Sequence, residues 1–150
     1  MGDLIELFTR ASKLMRGAAD AAYSRHGVRV GQNLVLELLW ESDGLAPGEI
    51  ARRLGVSTPT IVKMAGRMQA TGLLTRRRDE RDARLVRLYL TPHGSSLRTA
   101  ILEERRRLAE RATATLGDRE RRQLEAALAT MIANLEPVVP PAEPDEAGSA

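Results

Sequence analysis

The chain has 150 residues, of which 43% are hydrophobic, only 3% aromatic and 29% charged, with a formal net charge of +3. That length suits one domain, or one domain with an attached dimerisation element, and a core built from Leu, Ala, Val, Ile and Met. The absence of cysteine excludes disulfides, thiolate metal sites and thiol-based oxidant sensing. With no bilayer-length apolar run and no signal-peptide h-region, a cytoplasmic protein with no membrane partner is expected.

A first helix is expected from about Leu4 to Ser24, because Leu4, Leu7, Phe8, Ala11, Leu14, Met15, Ala18 and Ala22 recur at three- and four-residue steps. Gly27 breaks it. A second helix, about Gly31 to Glu41, is apolar on several sides through Leu34, Val35, Leu36, Leu38, Leu39 and Trp40, the mark of a helix buried between others. Ser42-Asp43-Gly44 ends it, and Pro47 opens a third helix through Leu54.

The most informative stretch follows: Ala51-Arg-Arg-Leu-Gly55-Val56-Ser57-Thr58-Pro59-Thr60-Ile61. Ala51 lets another helix cross closely, and Gly55 can take the left-handed conformation of a tight inter-helix turn. Thr58 is expected to cap the next helix, with Pro59 at its first position, where the missing N–H costs nothing. That helix, about Pro59 to Ala70, puts Ile61, Ala65 and Met68 on one face and Thr60, Lys63 and Arg67 on the other. A core face opposite short polar and cationic residues is what a major-groove helix requires.

Gly72 stops this helix, and Leu73–Arg78 and Arg84–Leu90 alternate as two strands around the loop Asp79-Glu-Arg-Asp-Ala83, with Val86, Leu88 and Leu90 inward. Thr91-Pro92 starts a long helix to about Leu116, which Gly117 ends. Asp118 caps a last helix carrying Leu124, Leu128, Met131, Ile132 and Leu135. Residues 137–150 have the composition of a disordered tail.

Between Arg52 and Arg87 ten basic side chains face three acidic ones, so this segment carries +7 and the remainder −4. Charge is concentrated where helix, turn, helix and arginine-rich loop follow one another, as in a protein that takes its affinity from phosphates. The fold class expected is mainly α with a small β-wing. Residues 31–91 form a winged helix-turn-helix that binds double-stranded DNA, and 1–30 and 92–136 form dimerisation helices. The apolar stripes of those terminal helices exceed what a monomer exposes, so a homodimer is expected.

These residues resemble the MarR family of bacterial transcription regulators over about residues 4–136. The resemblance is carried by Glu49-Ile-Ala-Arg-Arg-Leu-Gly-Val-Ser, by Met68-Gln-Ala-Thr-Gly-Leu-Leu-Thr-Arg, by Asp79-Glu-Arg-Asp-Ala-Arg84 and by Leu88-Tyr-Leu-Thr-Pro-His-Gly94. It implies a two-fold symmetric dimer whose recognition helices enter successive major grooves, and a repressor often released by a small aromatic molecule. Ser57, Thr58 and Thr60 match the start of the recognition helix, and Lys63 and Arg67 its basic positions. Asp82 and Arg84 match a wing pair in which the carboxylate orients an arginine for the minor groove. Two residues depart from the family pattern: Val62 stands where a hydroxyl residue is common, and Gly66 where an acidic one is.

The candidate DNA contacts are therefore Ser57, Thr58, Pro59, Thr60, Lys63 and Arg67 on the helix and Arg77, Arg81, Asp82 and Arg84 in the wing. Arg16, Tyr23, His26, Gln32 and Trp40 are the candidates for an effector pocket. No cofactor, metal or catalytic activity is expected. There is no cysteine nucleophile or phosphate-cradling glycine loop, and His26 and His93 fall in no ligand spacing. Two rival readings are an architectural DNA binder without strong sequence preference and a winged helix used only for protein contacts. Base-reading side chains on a dimer of fixed spacing argue against the first, and the +7 reading segment against the second.

Overall fold

The structure, a computed structural model, describes residues 2–137. In chain order, helix α1 spans Leu4–Ser24, α2 Gln32–Glu41, α3 Pro47–Leu54 and α4 Thr58–Ala70. Strands β1 Leu74–Arg78 and β2 Val86–Leu90 follow, then α5 Pro92–Ser96, α6 Arg98–Ala112 and α7 Asp118–Leu135. The fold is thus mainly helical with one small antiparallel sheet. Residues up to Ala112 form one compact unit and those from Thr113 a second. Apart from Pro137, the tail expected at 137–150 lies outside the described residues.

In the first unit, α2 supplies Val35, Leu36 and Leu39 to the core, α3 Ile50 and Ala51, α4 Ile61, Ala65 and Met68, and the hairpin region Leu73, Leu74 and Leu88. The core is not confined to residues 31–91. Ala19, Ala22 and Tyr23 at the end of α1, Val28, and Ile101 of α6 belong to the same cluster. Helix α1 is therefore divided along its length: its last turns are buried, whereas Leu4, Ile5, Leu7, Phe8, Leu14 and Met15 remain exposed. Its end is also tied to α6 by charge. Buried Glu104 accepts from Arg25 Nη2 at 2.9 Å and lies 3.1 Å from His26 Nε2. The His26 hydrogen bond and then the Arg25 charge hold its carboxyl below the ordinary range.

The two strands pair antiparallel from Leu74 opposite Leu90 to Arg78 opposite Val86. An isolated hairpin of this size is marginal in water. Here the loop between α2 and α3 adds a short third rung, because Leu88 N donates to Leu45 O at 2.9 Å and Gly44 N to Leu88 O at 3.0 Å. That rung was not among the expectations, since it joins segments more than forty residues apart.

Several boundaries differ from the sequence expectation: β1 begins at Leu74 rather than Leu73 and β2 at Val86 rather than Arg84. Ser57, not Thr58, caps α4: it is extended and its side chain accepts from Thr60 N, which leaves Pro59 still in the first turn, where its N–H has no helical role. The long helix after Pro92 is broken at Leu97 and ends at Ala112. Gly94-Ser95-Ser96 is a poor helical run, and Ser96 Oγ donates back to His93 O, a local bond that competes with helix propagation. Gly117 rather than Asp118 is the cap of α7, and the Glu120 carboxylate reaches back to Gly117 N at 2.9 Å. In this second unit α7 buries none of its residues, and Leu124, Leu128, Ile132 and Leu135 are exposed.

Candidate nucleic-acid interface

Gly55 closes α3 in the left-handed region, at φ 68°, and Val56 N donates to Ala51 O at 3.0 Å. This turn leads the chain into α4, which packs against α3, and Ala51 of α3 is 2% exposed. Burial of Ile61, Ala65 and Met68 then fixes the rotation of α4, turning Thr58, Pro59, Thr60, Val62, Lys63 and Arg67 to solvent. Ser57 Oγ lies 2.8 Å from Thr60 Oγ1, so two hydroxyls sit together at the positive end of the helix. Neither Lys63 nor Arg67 forms an ion pair among the described residues, so both cations are free to meet an external anion.

The wing is more constrained than its composition suggests. Asp79 organises the loop: its Oδ2 accepts from Arg81 N at 3.1 Å and Asp82 N at 3.0 Å, and its Oδ1 from Arg87 Nε at 2.9 Å. Arg87 Nη1 also donates to Gly44 O at 3.0 Å, pinning the wing to the α2–α3 loop. Asp82 Oδ1 accepts from Arg84 N and from Arg84 Nε, at 3.1 and 3.2 Å. The Arg84 side chain is nevertheless 93% exposed. The side chain is therefore held by Asp82 without being covered by the chain. Arg77 lies over the Tyr89 ring, 4.0 Å from its centroid. Arg76 Nε donates to Gln69 Oε1 at 3.0 Å and so links the wing to α4.

The contacts of Asp79, Arg87, Gln69 and Tyr89 that hold the wing were not among the expectations. Asp79 alone carried a local signal, being an aspartate at the head of a loop whose next amides need an acceptor. Its carboxyl is held below the usual range, first by the Arg87 hydrogen bond and then by the Asp82 amide. A depressed folded pKa means that this tie is complete above the ordinary carboxylate pKa and is lost as the pH falls through the lowered one. The Arg81 and Asp82 amide resonances should therefore stay fixed from pH 7 to about 5 and move only in more acidic solution. Movement near pH 6 would contradict the tie.

The five effector candidates have different surroundings. Arg16 borders an open groove with Lys13, Gly17, Asp20, Arg29 and Val30, across which Arg29 pairs with Asp20 at 2.8 Å. Tyr23 is buried, and that burial, with the nearby Glu37 charge, raises its pKa. His26 is held against Glu104. Buried Gln32 accepts from Arg29 N, and Trp40 Nε1 donates to Gly94 O at 3.0 Å. Among the described residues no cluster of His, Cys, Asp or Glu is arranged for a metal ion, and no helix is long and apolar enough to cross a membrane.

Comparison with known proteins places this geometry in context. A sequence profile of the MarR family matches residues 26–85. The HTH-type transcriptional regulator TtmR of Methylorubrum extorquens is 37% identical over 75 residues, which are 50% of this chain and 38% of that protein. The organic hydroperoxide resistance transcriptional regulator of Bacillus subtilis is 39% identical over 67 residues, 45% of this chain and 46% of its own length. The matched stretch thus spans less than half of each of these curated relatives. Among solved structures, S. aureus MepR in complex with DNA superposes with a TM-score of 0.81 at 25% identity, over 90% of this chain and all of that one.

Proposed function

We propose that the chain, which a MarR-family profile matches over residues 26–85, is a cytoplasmic, sequence-specific transcription regulator of that family, acting as a homodimer on a pseudo-palindromic operator. The observation that carries this reading is the wing arginine: Arg84 is anchored by Asp82 yet almost wholly in solvent, in a chain whose helix α4 also exposes Lys63 and Arg67. In this reading Ser57, Thr58, Pro59, Thr60, Lys63 and Arg67 meet the major groove, and Arg77, Arg81 and Arg84 the flanking backbone and minor groove. The domain assignment follows: 31–91 reads DNA, and the exposed apolar stripes of α1 and α7 each support pairing with a second copy. No catalytic step is assigned to any residue.

Repression with ligand release is the finer part of the proposal. It is supported by the groove of Lys13, Arg16 and Arg29, whose cations suit a small aromatic carboxylate. The B. subtilis relative is named for hydroperoxide resistance. These 150 residues hold no cysteine, so any response here is not through the chain's own thiol.

The test is selection of duplexes from a random library with the full chain, then footprinting and sedimentation. The expected result is protection of two half-sites about one helical turn apart, roughly 34 Å, by a dimer. Arg67→Ala should weaken the selected site by about ten-fold or more if it contacts a base edge, and scrambled DNA much less. A monomer protecting a single half-site would overturn the proposal. Benzoate-type carboxylates should release the complex if the groove is the effector site, and Arg16→Ala should abolish that release.

A further inference from the structure

On helix α4 one large apolar residue is exposed, Val62, with 42% of its surface in solvent. It lies at one edge of the exposed face, about 100° around the axis from Lys63. One helical turn further on, about 40° around the axis, stands Gly66. Nothing in the described chain requires a glycine there: a Cβ on Gly66 would meet no atom within 4 Å, and its φ is not positive. A glycine in mid-helix is nevertheless unfavourable relative to alanine. The helix therefore leaves a side-chain-free site beside an exposed branched apolar residue, on the face that carries Thr58, Pro59 and Lys63.

Resting on the DNA-binding reading above, we infer that Val62 is a specificity-determining residue that packs its methyl groups against the C5-methyl of a thymine in the major groove, and that Gly66 provides the close approach this contact needs. The thymine methyl is the one apolar group exposed on the major-groove edge of the four bases. A valine can bury against it without leaving a polar atom unpaired, whereas against the C4-amino group of cytosine it satisfies nothing. Gly66 lets the backbone of α4 sit closer to the groove floor than a side chain at that position would permit. The polar neighbours Lys63 and Arg67 then read or neutralise, while Val62 discriminates by shape.

The test uses the full chain and a duplex it has selected from a random library. Each thymine of the half-site is replaced in turn by deoxyuridine, which keeps every hydrogen-bonding group and loses only the methyl. At one position per half-site, wild-type affinity should fall about fourfold, the effect of one buried methyl-sized group. Val62→Ala should lose a similar amount on the thymine duplex and be indifferent to uracil at that position. Gly66→Ala should raise the melting temperature and yet weaken binding. Equal losses by wild type and Val62→Ala across the uracil series would overturn the assignment, as would a series with no loss at all. Undiminished binding by Gly66→Ala would overturn the close approach. Selection of no duplex would remove the DNA-binding reading itself, which separates the two failures.

Discussion

Gly94→Ala is expected to destabilise the protein by about 3 kcal/mol, at or beyond the upper end of ordinary overpacking. A Cβ at this position would lie 2.1 Å from Leu73 O, 3.1 Å from Leu73 C and 3.3 Å from Leu90 Cδ2. The first two are backbone atoms, so no change of rotamer relieves the clash. Nor can α5 simply back away. Gly94 O accepts from the Trp40 indole, Thr91 N donates to Leu73 O, and Thr91 Oγ1 donates to Gly72 O. Moving α5 outward would break these bonds together. Urea denaturation should show a lowered midpoint with an unchanged slope. A loss below about 0.5 kcal/mol, the range of an ordinary surface change, would mean that α5 is not packed as described. Gly66→Ala is the control, since the same added methyl meets nothing there.

Arg84→Ala should weaken binding to a selected duplex by about ten-fold or more while leaving the melting temperature unchanged, because its side chain is 93% exposed. If the guanidinium neutralises one phosphate, the slope of log affinity against log salt should fall by about 0.9 per subunit. The informative partner is Asp82→Ala. Removing a carboxylate from a DNA-facing loop should tighten binding if net charge alone governs it. If the carboxylate holds Arg84 in position through the bonds seen here, binding should weaken instead. Tighter binding by Asp82→Ala would show that charge, not orientation, controls the wing. An exposed ion pair of this kind has little effect on stability, so folding effects do not confuse the comparison.

How much of this was legible in the sequence follows from how local each determinant is. The bounds of α1, the left-handed Gly55 and the inward face of α4 rest on contacts within a few residues, and periodicity with turn chemistry reached them. The cap of α4 was misplaced by one because Ser57 and Thr58 are adjacent hydroxyls and proline is tolerated at either of the positions that follow. The break at Leu97 was hidden because Thr91-Pro92 signals a helix start clearly and Ser95-Ser96 signals an end only weakly. Leu45 against Leu88, Arg87 against Gly44 O and Trp40 against Gly94 O span from 43 to 54 positions. No window of a single sequence contains both partners. The effector candidates were chosen by chemical type, and four of the five prove to be engaged within the fold. Gly94 is the converse case: it was quoted as part of a motif, and the structure supplies the reason in the carbonyl of Leu73.

The third rung that Leu45 adds to the hairpin also divides the wing by its tolerance to change. Leu74 at the base and Leu88 along β2 are fully buried, and both backbone groups of Leu88 bond to the α2–α3 loop, at Gly44 and Leu45. At the tip, Arg81 and Arg84 are exposed and are held only through the carboxylates of Asp79 and Asp82. A substitution at the base is therefore felt by the whole core, whereas one at the tip alters only what is presented to a partner. If the tip contacts DNA as proposed, its preference can drift by changes there without consuming the domain's narrow margin of stability. The anchored base is what leaves the loop free to evolve.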